Sequence, residues 1–236
     1  MQTMDLNTLL TENTYPGRGI VLGLDETGKK SVAAYFIMGR SENSRNRVFV
    51  EKDGGIITRA FDESKMVDPS LIIYAPVRVF KDQLIVTNGD QTDTVHNYLK
   101  KGYTFEAALR TRCFEPDAPN YTPRISGLVS FTGESFRYDL SILKSIDSEG
   151  SDCARFTFAY PAKAGLGHFI HTYVQDGNPI PTFQGEPERI SIPNDIDELT
   201  NDIWTNLDEN NKISLYVRYT DLKTGAISER LLNKNK

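Results

Sequence analysis

The chain has 236 residues, with 27 basic and 32 acidic side chains and a formal net charge of −5. Its 39% hydrophobic and 25% charged residues are those of a globular domain, which excludes a disordered, collagen-like or disulfide-stapled chain. The mild acidity argues against nucleic acid as partner, because gripping a phosphate backbone needs a basic face. Residues 5–12 read as one or two helical turns, and the opening MQTMDLNTLLTENTYPG has neither the basic nor the apolar region of a secretory leader. Tyr15-Pro16-Gly17-Arg18-Gly19 breaks the chain. Residues 20–24 are a buried strand, 25–29 a turn and 31–38 a second strand, together a hairpin. Residues 39–47 are a polar loop. Strands follow at 48–51 and 56–61, turned by Asp53-Gly54-Gly55, and a charged connection runs over 62–69. Residues 71–80 read as a strand with Pro76 inside it, marking an edge or a bulge, and on it Tyr74 and Arg78 should face the same side.

Lys81-Asp82 turns into a strand at 83–87. A helix over 92–101 is expected to be capped by Thr94 and closed by Gly102. Residues 104–114 carry the strongest helical pattern, with Thr104 as N-cap and Phe105, Ala108, Leu109 and Arg112 on one face. Pro116, Pro119 and Pro123 stiffen the next loop. Strands are expected at 125–131, 136–144, 154–161 and 168–174, then a Pro- and Gly-rich loop over 175–193. A helix over 194–207 buries Ile196, Leu199, Ile203, Trp204 and Leu207 behind an Asn194 cap. A strand over 212–220 precedes a polar tail that should fray. Many strands with two solid helices predict an α+β fold, antiparallel sheet covered by helices on its outer faces. No composition break marks a second domain, so residues 1–236 are expected to form one. No apolar run approaches the ~20 residues of a membrane helix, and a cytoplasmic protein is expected.

Generic catalytic motifs are missing: the chain has no P-loop, HExxH, paired CxxC or GxSxG. His168 and His171, three apart in a strand, should point to opposite faces and not share a metal. Cys113 and Cys153 are expected to be reduced. Polar density gathers instead where strands end. Arg40 to Arg47 hold three arginines that could fork around an anion, though a solvated loop explains them as well. Thr87 to Thr94 place a Gly turn at a helix start, either an anion seat or an ordinary cap. Asn120-Tyr121-Thr122-Pro123-Arg124 lead an arginine into a buried strand, where it needs a partner or a ligand, with Glu115 just upstream. A lone Tyr74 in the apolar run LIIYAPVR reads as a core residue.

In order, Gly17-Arg18, GRSENSRNR, IIYAPVR, TNGDQTDT, YTPRISG and HTYVQDGNPIPTFQGEP resemble the archaeal-type IMP cyclohydrolase family over about residues 15 to 190. The resemblance implies a four-layer αββα core like that of the N-terminal nucleophile hydrolases, without their processed nucleophile; here the start is Met1-Gln2. It implies dehydrative closure of the formamido-carboxamide ribotide FAICAR to inosine monophosphate (IMP), the last step of purine synthesis. By motif position it implies Glu115 and Tyr74 in proton transfer and Arg47 in charge stabilisation. Arg40, Asn88, Thr92, Asp93, Arg124 and Tyr173 are implied to bind the nucleotide, with Arg40, Arg124 and the Asn88–Thr94 turn at its 5′-phosphate. The arginine-rich loop is lengthened here, which leaves Arg45 beside Arg47 as the family arginine. The implied partner is the small nucleotide, with no metal, organic cofactor, nucleic acid or membrane, and with a homo-oligomer left open. Two alternatives stand: a purine-nucleotide binding protein that has lost catalysis, and an amide hydrolase with another nucleophile.

Overall fold

The structure is a computed structural model that describes residues 3–235. Met1-Gln2, read above as lacking a free nucleophile, and Lys236 lie outside the described residues. In chain order the elements are α1 (Leu6–Glu12), β1 (Arg18–Leu24), β2 (Lys30–Met38), α2 (Glu42–Arg45), β3 (Arg47–Lys52), β4 (Gly55–Ala60), β5 (Val77–Phe80), β6 (Gln83–Thr87), α3 (Gln91–Lys100) and α4 (Phe105–Leu109). Then come β7 (Arg124–Thr132), β8 (Ser135–Ser145), β9 (Cys153–Pro161), β10 (Leu166–His171), β11 (Glu188–Ser191), α5 (Ile196–Asn206), β12 (Lys212–Asp221) and β13 (Ile227–Asn233). One sheet has the order β11-β10-β1-β2-β12-β13, the other β3-β4-β5-β6-β7-β8-β9.

Alternation along the strands makes the layers. On β1, Ile20 and Leu22 face the other sheet, while Val21 faces α1 and α5. On β8, Phe136, Tyr138, Leu140 and Ile142 meet them from across the interior. Leu6 and Leu10 of α1 and Leu199 and Ile203 of α5 cover the outside of the first sheet. Val95 of α3 and Phe105, Ala108 and Leu109 of α4 cover Ile85 and Leu128 on the outside of the second. Burial of these apolar faces is the main stabilising force of the stack. The expected α+β class with antiparallel sheets is what is found.

Several local expectations need correction. The strand expected over 71–80 forms only from Val77: the Thr58 N–H and hydroxyl both bond the Tyr74 carbonyl, and the segment before Pro76 crosses the end of β4 without laddering along it. Tyr74 therefore turns inward while Arg78 pairs with Asp93, and the two do not share a side. The pattern over 104–114 is helical only to Leu109. Its chain then tightens into turns, with Thr111 and Arg112 N–H groups donating three residues back. Thr104 does cap it, accepting from Ala107 N at 3.2 Å. Thr94 lies inside α3, not at its cap; the N-cap is Asp90, whose carboxylate is drawn to Arg112 and Arg124 and makes no cap bond. Asp195, not Asn194, caps α5 by accepting from Asp197 N at 2.8 Å.

Three segments read as irregular are ordered. Ser41 and Ser44 form a reciprocal capping box that folds α2 inside the polar loop. The Pro- and Gly-rich stretch ends in β11, and the strand before it stops at His171. The polar tail is β13, an edge strand paired along β12. Its Asn233 exchanges bonds with the Phe49 backbone of β3, 2.8 and 3.0 Å, and so ties the two sheets along one edge.

Because neighbouring strands alternate in direction, the starts of β1, β3 and β7 and the ends of β2, β6 and β10 come to one end of the sandwich. The polar clusters singled out in the sequence sit at these ends.

Candidate active site

Arg47 is the first residue of β3 and is fully buried. Its Nε donates to Ser44 O at 2.6 Å and its Nη2 to Met38 O at 3.4 Å, at the end of β2. Its Nη1 has no partner. Burial holds this guanidinium below its ordinary pKa, with Arg18 adding to the shift and Tyr74 and Tyr35 opposing it. Arg45, by contrast, points outward to Gly39 O and Asn211. Of the two arginines the sequence left open, Arg47 is the one inside.

Tyr74 faces Arg47 from the segment leading into β5. Its hydroxyl lies 2.8 Å from that of Tyr35 on β2, which burial and then Tyr74 itself push well above the ordinary tyrosine range. Arg18 opens β1, and its buried Nε is unpartnered. Burial lowers its pKa, but Glu115 and the hydroxyls of Tyr173, Tyr15 and Tyr74 outweigh that and leave it raised.

Glu115 lies between α4 and β7 and is 2% exposed. Its N–H donates to Thr122 O at 2.9 Å, which fixes the backbone, while its Oε1 has no partner. Burial pushes this carboxyl up to about 7, opposed by Arg18, Arg124 and Arg47. A carboxyl at that value is half ionised near neutrality and can both take and give a proton. Tyr173, just past β10, bonds Thr122 Oγ1 at 2.5 Å and stacks on Tyr15. Burial above all raises its hydroxyl. His171 helps to place it, donating from Nδ1 to the Tyr173 carbonyl at 2.7 Å.

Arg124 opens β7 and donates from Nη1 to Gln91 Oε1 at 2.7 Å and Asp90 Oδ1 at 2.8 Å, at the start of α3. Its Nε is unpartnered. Asn88 knits this corner: its amide donates to Pro123 O and its oxygen accepts from Ile125 N and Gln91 Nε2. Thr92 turns its hydroxyl to Thr87 at 2.6 Å, inside the same turn. Asp93 is exposed and pairs with Arg78. Arg40 sits at the rim, bonded to Asp176 and Gly177 O at 2.7 Å and lying over the Tyr15 ring.

The structure therefore gathers Arg47, Tyr74, Glu115, Arg124 and Tyr173, with Arg40 at the edge and Asn88 and Thr92 building the turn beneath. Arg18, Tyr35, Thr122 and Gln91 join them without having been assigned a role from the sequence. Arg18 was legible only as part of the Gly17-Arg18 match; Tyr35 reads as one more apolar strand residue. Four buried polar atoms in this cluster, on Arg18, Arg47, Glu115 and Arg124, lack a partner. Buried polar groups are normally satisfied, so such a concentration marks a place for a polar ligand. The donors and the carboxyl suit an anionic, hydrogen-bonding molecule.

Among the described residues no group of three or more His, Cys, Asp or Glu is placed to hold a metal, and no helix is long and apolar enough to cross a membrane. His168 bonds Tyr138 on the inner face, whereas His171 bonds Glu188 and stacks on Phe169, so the two do face opposite ways.

An interior arginine–tyrosine–glutamate cluster thus stands at one end of two stacked antiparallel sheets. The family is explicit in the sequence match: the model described as IMP cyclohydrolase-like protein covers residues 15–225, and the chain belongs to that family. It is 30% identical over 126 residues to a protein of Methanosphaera stadtmanae named IMP cyclohydrolase, a match covering 52% of this chain and 61% of that one. A protein of the same name from Methanopyrus kandleri is 31% identical over 125 residues, covering 52% and 61%. One from Haloarcula marismortui is 31% identical over 119 residues, covering 49% and 54%. The match thus spans about three fifths or less of these relatives' own length.

Proposed function

We propose that this protein is an IMP cyclohydrolase, closing FAICAR to IMP with loss of water. The observation that carries the reading is the unpartnered Glu115 oxygen, on a carboxyl held at about 7, among three arginines that each keep a buried nitrogen free. The family and the names of the relatives point to the same reaction.

Ring closure needs a carboxamide nitrogen, a feeble nucleophile, to attack a formyl carbon. Ionised Glu115 takes a proton from that nitrogen as the bond forms. The formyl oxygen gains negative charge, and the free Nη1 of Arg47 is the donor for it. Such a preset donor in a dry site contributes on the order of 3 kcal/mol to the barrier reduction. The oxyanion takes one proton from the Tyr74 hydroxyl, backed by Tyr35, to give a carbinolamine; its hydroxyl then takes the proton held by Glu115 and departs as water, while the former formamide nitrogen returns its N–H proton to the Tyr74 oxygen as the ring C=N forms. Holding both arms of the substrate against Tyr173 and Arg18 removes much of the entropic cost of closure. Arg124 and Arg40 meet the 5′-phosphate, with the Asn88–Thr92 turn fixing Arg124 and Asp93 completing the first turn of α3. Arg18 is added to the sequence-derived set because the Glu115 charge does most to raise it against the effect of burial.

The shared interior of the two sheets supports one domain, with the αββα layering of the N-terminal nucleophile hydrolases and catalytic groups drawn from internal residues. The test is incubation of purified protein with FAICAR, with product followed by ultraviolet absorbance and identified by mass. IMP formation well above the uncatalysed rate is expected; tight IMP binding with no turnover would instead favour a nucleotide-binding protein.

A further inference from the structure

Between Glu115 and β7 the chain folds back on itself, and the loop is pinned by the Glu115 N–H on Thr122 O at 2.9 Å. Inside that loop the half-buried Asp117 takes two hydrogens from Thr122. Its Oδ1 accepts the Thr122 N–H at 2.7 Å, and its Oδ2 accepts the Thr122 hydroxyl. Thr122 Oγ1 in turn lies 2.5 Å from the Tyr173 hydroxyl, and both residues are buried. Such a chain has one proton order. A carboxylate accepts and cannot donate, and a threonine has a single hydroxyl hydrogen. That hydrogen is committed to Asp117, so the hydrogen between Thr122 and Tyr173 is the tyrosine's. Tyr173 therefore gives its only donor to Thr122, and its oxygen has no other partner among the described residues. The Arg18 N–H bonds Thr172 Oγ1 at 3.2 Å, which sets Tyr173 beside Arg18 as Thr122 sets it beside Glu115.

We propose that Asp117, acting through Thr122, is a positioning residue that fixes the Tyr173 oxygen as a hydrogen-bond acceptor, so that the site selects a ligand carrying an N–H at that point. The proton order stands on the geometry alone; the identity of the N–H rests on the proposed cyclohydrolase reaction. In that reaction the carboxamide nitrogen brings two hydrogens. Glu115 takes one, and Tyr173 holds the other, which stays on the ring nitrogen N1 of IMP. Acceptors on both hydrogens fix the rotation of the carboxamide about its bond to the imidazole ring. A purine with a bare lone pair at N1 would instead meet the Tyr173 lone pair, two acceptors with no hydrogen between them. Asp117→Asn keeps the shape and reverses the order. Its amide donates to Thr122, the Thr122 hydroxyl turns to Tyr173, and the Tyr173 hydroxyl turns to the ligand.

Calorimetry on the full chain compares IMP, which carries an N1 hydrogen, with purine riboside 5′-monophosphate, which has a lone pair at N1 and no oxygen at C6. The missing oxygen cancels when the same pair is compared between proteins. In Asp117→Asn the affinity for IMP should fall and that for purine riboside 5′-monophosphate should rise, each by about 5-fold. A merely distorted site cannot give changes of opposite sign. Thr122→Ser, which keeps the hydroxyl, should behave as wild type. Neutron diffraction from deuterated, ligand-free wild type reads the order directly, with the Tyr173 deuteron on the line to Thr122 and the Thr122 deuteron on the line to Asp117. Affinities that fall together or stay unchanged in Asp117→Asn would overturn the proposal, as would a Tyr173 deuteron turned into the site or a deuteron on Asp117. Wild type that binds neither nucleotide would count against the cyclohydrolase reading and remove the N1 hydrogen from the inference, with the deuteron positions still deciding the order.

Discussion

The hydroxyls of Tyr35 and Tyr74 meet 2.8 Å apart although Tyr35 lies in one sheet and Tyr74 on the segment that leads into the other. Tyr35 comes from β2, and Tyr74 from the irregular approach to β5. The contact exists because Tyr74 is not in a strand: its carbonyl is taken by Thr58, which swings the side chain into the interior. Two buried hydroxyls in contact hold one another's orientation, and an aimed hydroxyl beside Arg47 is what a proton donor requires.

Tyr74→Phe removes the proposed donor while keeping the ring. It should lower kcat by about 10²-fold or more and change KM little. It also leaves the Tyr35 hydroxyl unpaired, at a cost of roughly 1–3 kcal/mol. Tyr35→Phe/Tyr74→Phe should recover part of that stability and none of the activity. Steady-state kinetics and denaturant unfolding of the three proteins check this. Unchanged kcat in Tyr74→Phe would remove the hydroxyl from the mechanism.

Glu115 gives a pH prediction with a definite sign. Its carboxyl is raised from 4.5 to about 7 by burial, so the folded protein binds more protons than the unfolded chain between those values. Its contribution to stability is therefore fully present below about pH 4.5 and is lost as pH rises through about 7. The loss is on the order of 3 kcal/mol. Glu115→Gln lacks this dependence, so its stability relative to wild type should improve between pH 5 and 8 while its kcat collapses. Parallel denaturation curves at several pH values read the difference; a constant gap across that range would mean that Glu115 titrates normally.

Arg124 is held at two points, yet Asp90 would keep Arg112 as a partner if Arg124 were lost. Arg124→Met should thus leave α3 in place and mainly weaken phosphate binding. KM should rise about 10- to 100-fold, the worth of one charge-assisted hydrogen bond, with kcat less affected. Competition by inorganic phosphate should weaken in the variant. A fall in kcat with unchanged KM would move Arg124 from binding to chemistry.

Gly17 sets the approach to Arg18. Its φ is +74°, and a Cβ there would lie 2.4 Å from Thr172 Oγ1 and 2.6 Å from the Tyr173 ring. Gly17→Ala should cost roughly 1–3 kcal/mol and shift both Arg18 and Tyr173, lowering activity with stability. Thermal melting beside kcat/KM tests it. Wild-type melting would show that the backbone relaxes there.

Legibility followed physics. β1 could be read as a short continuous apolar run, because it is buried on both faces, and the first half of β8 from its alternation, because only one face is covered there. Gly102, at φ +82° just past α3, ends that helix as a glycine can. The Tyr74 segment could not be read, since its apolar run looks like a strand and only the long-range bond from Thr58 bends it. β13 could not be read because this half-buried edge strand, whose Leu231 and Leu232 pack on opposite cores, shows no alternating apolar pattern in its mostly polar run. Within the site, the roles of Arg47, Tyr74 and Glu115 came from family motifs, while their convergence needed the third dimension. Arg18 and Tyr35 gain meaning only from the groups brought to them by the opposite sheet.

The most direct test of the account is conversion of FAICAR by wild type and by Glu115→Gln, with IMP affinity measured by calorimetry on both. The account predicts ring closure by wild type, a fall of about 10²-fold or more in kcat for Glu115→Gln, and comparable IMP binding by the two. No closure by wild type, or near-wild-type turnover by Glu115→Gln, would contradict it.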